Sequence, residues 1–273
     1  MEKKKTRDEL VEKLKRRIEN PLCDIVITTV TEISETEQEI DFWSTHTLLD
    51  ELTGCGLSKE SLTVIIGGTG DGKSLLLAHL ASKMSSENKI LYVSFENTSK
   101  VDASRFRDCE TIYSNANHKN ITYFNVLDNE MSEKVKWDNK YMQNLINDSN
   151  YDIICIDAIQ TTVDTVDQDE IHRVGNSMMK DLYKLVLATH KPMLVTWQAA
   201  RTAAGKKLEN ITLDDISGSV GTVRYCTNAF FIKREDGSRK LKLLKARESK
   251  EARWDNPVVD LEMSLRFSVE KIF

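Results

Sequence analysis

The chain has 273 residues, 40% of them hydrophobic and 30% charged, with three prolines, eleven glycines and a formal net charge of −5. This is the composition of a globular protein long enough to bury a full core, and it excludes a low-complexity or collagen-like chain. The opening MEKKKTRDEL lacks the apolar stretch of a secretion signal, no run is long and apolar enough to span a bilayer, and five scattered cysteines (23, 55, 109, 155, 226) form no C-x-x-C pair, so a reducing cytoplasm and no membrane partner are expected.

In chain order, Thr6-Arg7-Asp8-Glu9 has the spacing of a capping box, and Leu10, Val11, Leu14 and Ile18 follow on one helical face before Asn20-Pro21 ends the helix. Such a stripe needs a groove, either on its own core or on a neighbouring subunit. The run DIVITTV and the acidic TEISETEQEID then read as a linker or edge segment. The expected organisation is an N-terminal helix and linker over 1–41 and a main domain over 42–273.

From residue 42 apolar strands alternate with helices. The strands are expected at 61–67, 89–95, 121–127, 151–157 and 191–197, and the helices near 73–85, 98–110, 132–147 and 169–189. Continuous apolar strands between helices predict an α/β fold with a central, mostly parallel sheet covered on both faces. CTNAFFIKR, RKLKLLKAR, NPVVDLE and SLRFSVE read as short antiparallel additions at the sheet edge.

The segment SLTVIIGGTGDGKSLLLAHLASKM contains G-x-x-x-x-G-K-[ST] between an apolar strand and a helix, the context that makes this spacing a triphosphate-binding loop. Backbone amides of Gly67, Gly68, Thr69, Gly70, Asp71 and Gly72 would curl around phosphate oxygens at a helix N-terminus, with Leu75 completing the nucleotide contacts. Lys73 would reach the β- and γ-phosphates of ATP, and the Ser74 hydroxyl would ligate Mg²⁺.

Three further strand ends carry polar groups. YDIICID places Asp157 where ligands of open α/β sheets bind, in direct or indirect reach of Mg²⁺. ILYVSFEN offers Glu96, beside the loop if its strand neighbours the loop's strand, either as the base that polarises an attacking water or as a first-turn acid of the next helix. LVTWQAAR ends on Gln198, whose amide can sense the γ-phosphate. The loop that follows starts with the cations Arg201, Lys206 and Lys207 and carries Gly and Ser at 217–221, which would let backbone amides approach a phosphodiester. A solvated surface loop has the same composition. In KLKLLKAR, Lys245 and Arg247 lie two apart on one strand face and repel each other unless an anion faces them; otherwise they form a solvated face.

Together these segments resemble the RecA-like motor domain of DnaB-family hexameric replicative helicases, phage ones included, over about residues 45 to 250. HTLLDELTGCGLSKESLTVIIGGTGDGKS is similar to the family's entry segment and P-loop, ILYVSFEN to its strand-then-Glu motif, LVTWQAAR to its S-Q-x-x-R segment, and DDISGSVGTVRYCTNAFFIKRED to its D-L-R-E-S-G-x-I-x-Q-D-A-D segment. The resemblance implies Glu96 as catalytic glutamate, Gln198 as γ-phosphate sensor, Arg201 as the motif arginine, and Ser217, Gly218 and Ser219 as the DNA-contacting loop. It implies Lys245 and Arg247 as a piston and arginine finger that meet ATP on the next subunit. The implied partners are single-stranded DNA, further copies in a hexamer, and a separate primase or helicase loader, in a host cytoplasm if the source is viral. A RecA/RadA-like recombination ATPase is the alternative. The chain departs from the pattern: its P-loop has no proline, DISGSVG lacks the Arg-Glu pair, and residues 1–41 are too few for the helical primase-binding domain.

Overall fold

The structure, a computed structural model, describes residues 42–43, 45, 47–126, 144–146, 150–158, 168–216, 223–247 and 257–261, all within the unit Phe42–Phe273. The expected helix over 6–20, the DIVITTV run, most of the helix near 132–147, the strand SLRFSVE and the loop residues Ser217, Gly218 and Ser219 lie outside the described residues.

Strand β1 (Phe42–Trp43), helix α1 (Leu48–Thr53) and strand β2 (Leu57–Ser58) come first, β1 and β2 pairing antiparallel. Thr47 caps α1 by accepting from the Leu49 amide at 3.2 Å. Gly54, at φ 79°, ends it. Then follow β3 (Leu62–Gly67), α2 (Lys73–Met84), β4 (Ile90–Ser94), α3 (Ser99–Ile112), β5 (Ile121–Asn125), β6 (Ile153–Asp157), α4 (Gln168–Thr189) and β7 (Met193–Gln198). Three single-turn 3₁₀ segments occupy the 201–215 stretch before the hairpin β8 (Asn228–Glu235) and β9 (Ser238–Ala246), and β10 (Val258–Leu261) completes the described chain.

One eight-stranded sheet runs in the order β10-β9-β8-β3-β7-β6-β4-β5. Pairing is parallel from β8 to β5 and antiparallel for β8 with β9 and β9 with β10. The expectation that CTNAFFIKR adds at the edge in antiparallel sense is therefore corrected. β8 lies beside the phosphate-loop strand and parallel to it, because the chain after β7 returns to the opposite end of the sheet before starting again. Its core Ala229-Phe230-Phe231-Ile232 is buried throughout, as an interior parallel strand requires.

Alternate side chains of β3 feed two cores. Leu62, Val64 and Ile66 face Met178, Met179, Leu182, Leu185 and Val186 of α4, a stripe at helical spacing. Ile65 faces the other way, against Leu76, Leu80 and Met84 of α2. Helix α2 is buried almost all round, which fixes its first turn rigidly against the sheet. α3 is mostly polar, burying Asp102 and Cys109 and packing Phe106 against the α2 core.

Candidate nucleotide site

The parallel strands all end on the same side of the sheet, and there the loop from β3 to α2 closes a cleft of about 240 Å³ lined by Thr69, Gly70, Lys73, Ser74, Glu96 and Asn97, among others. Gly72 takes φ 108° at the start of α2, a left-handed turn that aims the following amides into the cleft. Lys73 is 6% exposed, and its ammonium donates to the carbonyls of Gly67 (3.0 Å) and Gly68 (2.9 Å) and to Gln198 Oε1 (3.1 Å). Burial pushes the Lys73 pKa down, while Glu96, Asp157 and Asp71 pull it back up. An ammonium held on carbonyls and short of water is poised to exchange those oxygens for phosphate oxygens.

Asp71 braces the loop from within. One carboxylate oxygen accepts from the Gly68 amide at 2.7 Å and the other from the Arg234 amide at 3.2 Å. Arg239, at the start of β9, donates from Nε to the Asp71 carbonyl at 3.1 Å and lies over Gly72. The β8–β9 hairpin thus grips the phosphate loop from outside.

Asp157, fully buried at the end of β6, accepts on Oδ1 from Thr196 Oγ1 (2.6 Å) and Ser74 Oγ (3.0 Å) and on Oδ2 from Asn97 Nδ2 (3.2 Å). Burial raises its pKa against the pull of the Thr196 and Ser74 hydrogen bonds, with Glu96 adding to the rise. A hydroxyl and a carboxylate converging on a triphosphate loop are the hard oxygen donors that Mg²⁺ prefers, and Ser74 fits the inner position with Asp157 holding it. Among the described residues no group of three or more His, Cys, Asp or Glu could hold a metal on its own.

Glu96 is exposed and lines the cleft, yet β4 is not the neighbour of β3: β7 and β6 stand between them. The neighbour condition is corrected, and the residue arrives another way. β4 ends at Ser94, and Phe95, Glu96 and Asn97 lead on beside Asp157 at the end of β6, the Phe95 amide donating to the Asp157 carbonyl at 2.5 Å. Gln198 ends β7 directly beside Gly67, and its Nε2 donates to Thr69 Oγ1 at 2.9 Å. Arg201 is exposed and lines a smaller hollow with Gly68, Thr69, Asp71 and Gln198.

A family model described as "ATPase: KaiC" matches residues 45–253. This chain belongs to that family. KaiC-family membership makes this an ATPase domain, one that binds nucleotide. The fold is that of the RecA-like motor domains resembled in sequence. It matches a solved structure of an ATPase domain at 16% identity and TM-score 0.61, over 85% of this chain and 90% of that one. It also matches a DnaB-like replicative helicase, solved together with its interactions with primase, at 15% identity and TM-score 0.62, over 93% of this chain and 68% of that one. No curated protein matches the sequence.

The remaining expected site residues of this KaiC-family chain lie elsewhere. Lys245 Nζ donates to the carbonyls of Val223 (2.7 Å) and Arg224 (3.3 Å), and Arg247 donates from Nη2 to the Arg224 carbonyl at 2.6 Å. The two cations do share a face, and burial with the Arg247 charge pushes the Lys245 pKa down. Lys245 pairs with Ala229, level with Val64, the third of the six residues of β3 and three before Gly67. From Arg239, which touches its own phosphate loop, to Lys245 is six steps along β9, roughly 20 Å at strand rise. Lys206 is bound to Asp215 at 2.6 Å, which occupies its charge, whereas Lys207 is exposed on a groove of about 550 Å³ shared with Lys233 and Lys240. Sequence reasoning missed Arg239, Arg105, Asn97 and Thr196. Only Asn97, next to Glu96, and Thr196, two before Gln198, carried a signal by adjacency.

Proposed function

We propose that the chain is the subunit of a homo-oligomeric ring, a hexamer, that hydrolyses ATP with Mg²⁺ and translocates on single-stranded DNA as a replicative helicase. The observation that carries this reading is the separation of charges along one sheet. The phosphate loop begins at Gly67, while Lys245 stands level with Val64, roughly 10 Å back along the strand, with Arg247 two residues further on. Both cations lie on the Val223 and Arg224 carbonyls, and neither lines the cleft of its own copy. A cation pair placed so supports a role at the γ-phosphate of a neighbouring copy, which would tie hydrolysis to assembly.

Within each border, Lys73 and the loop amides hold the triphosphate, Glu96 takes a proton from the attacking water, and Gln198 reports the γ-phosphate into the 199–216 loop. Mg²⁺, when bound, neutralises charge on the phosphate oxygens, with Ser74 as its protein ligand and Asp157 orienting that hydroxyl. Arg201 and Lys207 are exposed cations of the loop, and Ser217, Gly218 and Ser219 are the proposed strand contacts, acting through backbone amides in place of the missing Arg-Glu pair. The interactions of one structural neighbour with primase support a separate primase as partner.

The test combines electron microscopy with a non-hydrolysable ATP analogue, single-stranded-DNA-stimulated ATPase, and unwinding of a forked duplex. Rings that unwind the fork, with Arg247→Ala losing hydrolysis while keeping nucleotide affinity, are the expected result. Particles that stay monomeric, or an Arg247→Ala chain that hydrolyses normally, would overturn it.

A further inference from the structure

We infer that Asn97 is a positioning residue for ATP hydrolysis: it fixes the segment that carries Glu96 onto Asp157. The inference rests on the reading of Glu96 as the base. Glu96 is exposed and follows the end of β4, so nothing in its own strand holds its carboxylate still. The residues on either side of it do. Before it, the Phe95 amide donates to the Asp157 carbonyl at 2.5 Å. After it, Asn97 Nδ2 donates to Asp157 Oδ2 at 3.2 Å. Glu96 is therefore bracketed by two contacts to one residue, and that residue also accepts the Ser74 hydroxyl.

Asn97 is itself anchored. Asn125, at the end of β5, donates from Nδ2 to the Asn97 carbonyl at 2.7 Å. Arg105 of α3 reaches Asn97 Oδ1 from Nη2 at 3.5 Å, the long limit of a hydrogen bond, while its other nitrogen is fixed to Asp102 at 2.7 Å. Asp102 is buried and also accepts from Ser94 Oγ (2.7 Å) and Tyr123 OH (2.9 Å). The amide of Asn97 suits this place because it gives a donor to a carboxylate on one side and an acceptor to a guanidinium on the other. An aspartate there would turn a second carboxylate on Asp157.

Misplacing a base by about 1 Å costs on the order of 100-fold in rate, whereas the phosphate contacts of Lys73 and the loop do not pass through Asn97. Asn97→Ala should therefore lower kcat roughly 10- to 100-fold, with the affinity for a fluorescent ATP analogue held within about threefold. Asn97→Asp should be at least as damaging. In a Glu96→Gln chain, adding Asn97→Ala should leave the residual rate unchanged, because there is no base left to position. Near-wild-type melting temperatures identify variants that fold, and Asn97→Leu, close in shape but without hydrogen bonds, stands in if Asn97→Ala does not. If Asn97→Ala or Asn97→Asp turns over at the wild-type rate while Glu96→Gln is inactive, the proposal fails alone. If the loss in the Glu96→Gln background equals that in wild type, Asn97 acts independently of Glu96 and the proposal also fails. Full turnover by Glu96→Gln removes the base assignment and the proposal together.

Discussion

Gly67 and Gly72 open and close the phosphate loop for different physical reasons. At Gly72 the backbone takes φ 108°, and a β-carbon would also meet Arg239 Nε at 2.7 Å. At Gly67 a β-carbon would lie 2.6 Å from the Ile232 carbonyl oxygen and 2.9 Å from the Ile232 side chain. That oxygen belongs to the backbone of β8 and cannot swing aside. Gly67→Ala should therefore destabilise the domain by about 1–3 kcal/mol, as overpacking does, with a lower urea midpoint at unchanged slope. A wild-type midpoint would mean that β8 gives way easily. The spacing of the loop was legible in the sequence because one short segment holds the whole pattern. Its outer brace was not. Arg239 reaches Asp71 only because the β8–β9 hairpin places residue 239 opposite Arg234, a fact of register that no local pattern contains.

At the scale of elements, the 199–216 loop reads from sequence as small, polar and basic, and its stiffness was hidden for the same reason. Lys206 meets Asp215, Lys242 donates to the carbonyls of Glu209 (2.6 Å) and Ile211 (2.7 Å), and Lys233 donates to those of Ala203, Ala204 and Lys206. Lysines from β8 and β9 thus staple a loop whose own composition promises only mobility. Burial opposes the charge of Asp215, but hydrogen bonds from Lys206 and the Thr212 amide outweigh it and hold its carboxyl below the usual carboxylate range. A depressed carboxyl pKa stabilises the fold fully above the unfolded value of about 4, and that contribution is lost as pH falls through the lower folded value. Lys206→Ala should accordingly lower stability at pH 7, and the gap to wild type should close as unfolding is followed down to about pH 3. Equal gaps at both ends would rule out the ion pair as its source. The alternating strands and helices were readable from apolar runs. The parallel sense of β8 was not, because a buried run fits either direction and only its long return path decides.

For the whole molecule, the placement of Arg239 and Lys245 toward opposite ends of β9 turns the proposed ring into a test by mixing. A Lys73→Ala chain keeps a sound cation pair, and an Arg247→Ala chain keeps a sound phosphate loop. Each alone should be inactive. Mixed in equal amounts and allowed to reassemble, head-to-tail contacts should complete about one border in four and restore a corresponding share of ATP hydrolysis. Continued silence of the mixture would place Arg247 in the service of its own nucleotide or of none.

The cations at the far rim have a second consequence. While no neighbour calls on them, Lys245 and Arg247 are occupied by the Val223 and Arg224 carbonyls, just past residues 217–222. In the proposed ring a γ-phosphate arriving from next door would have to compete with those carbonyls, so the fuel of one copy would tug on the polypeptide of another before any bond is broken. Chemistry and grip in that ring would then be joined along the sequence, since Ser219, the last proposed strand contact, comes only four residues before Val223.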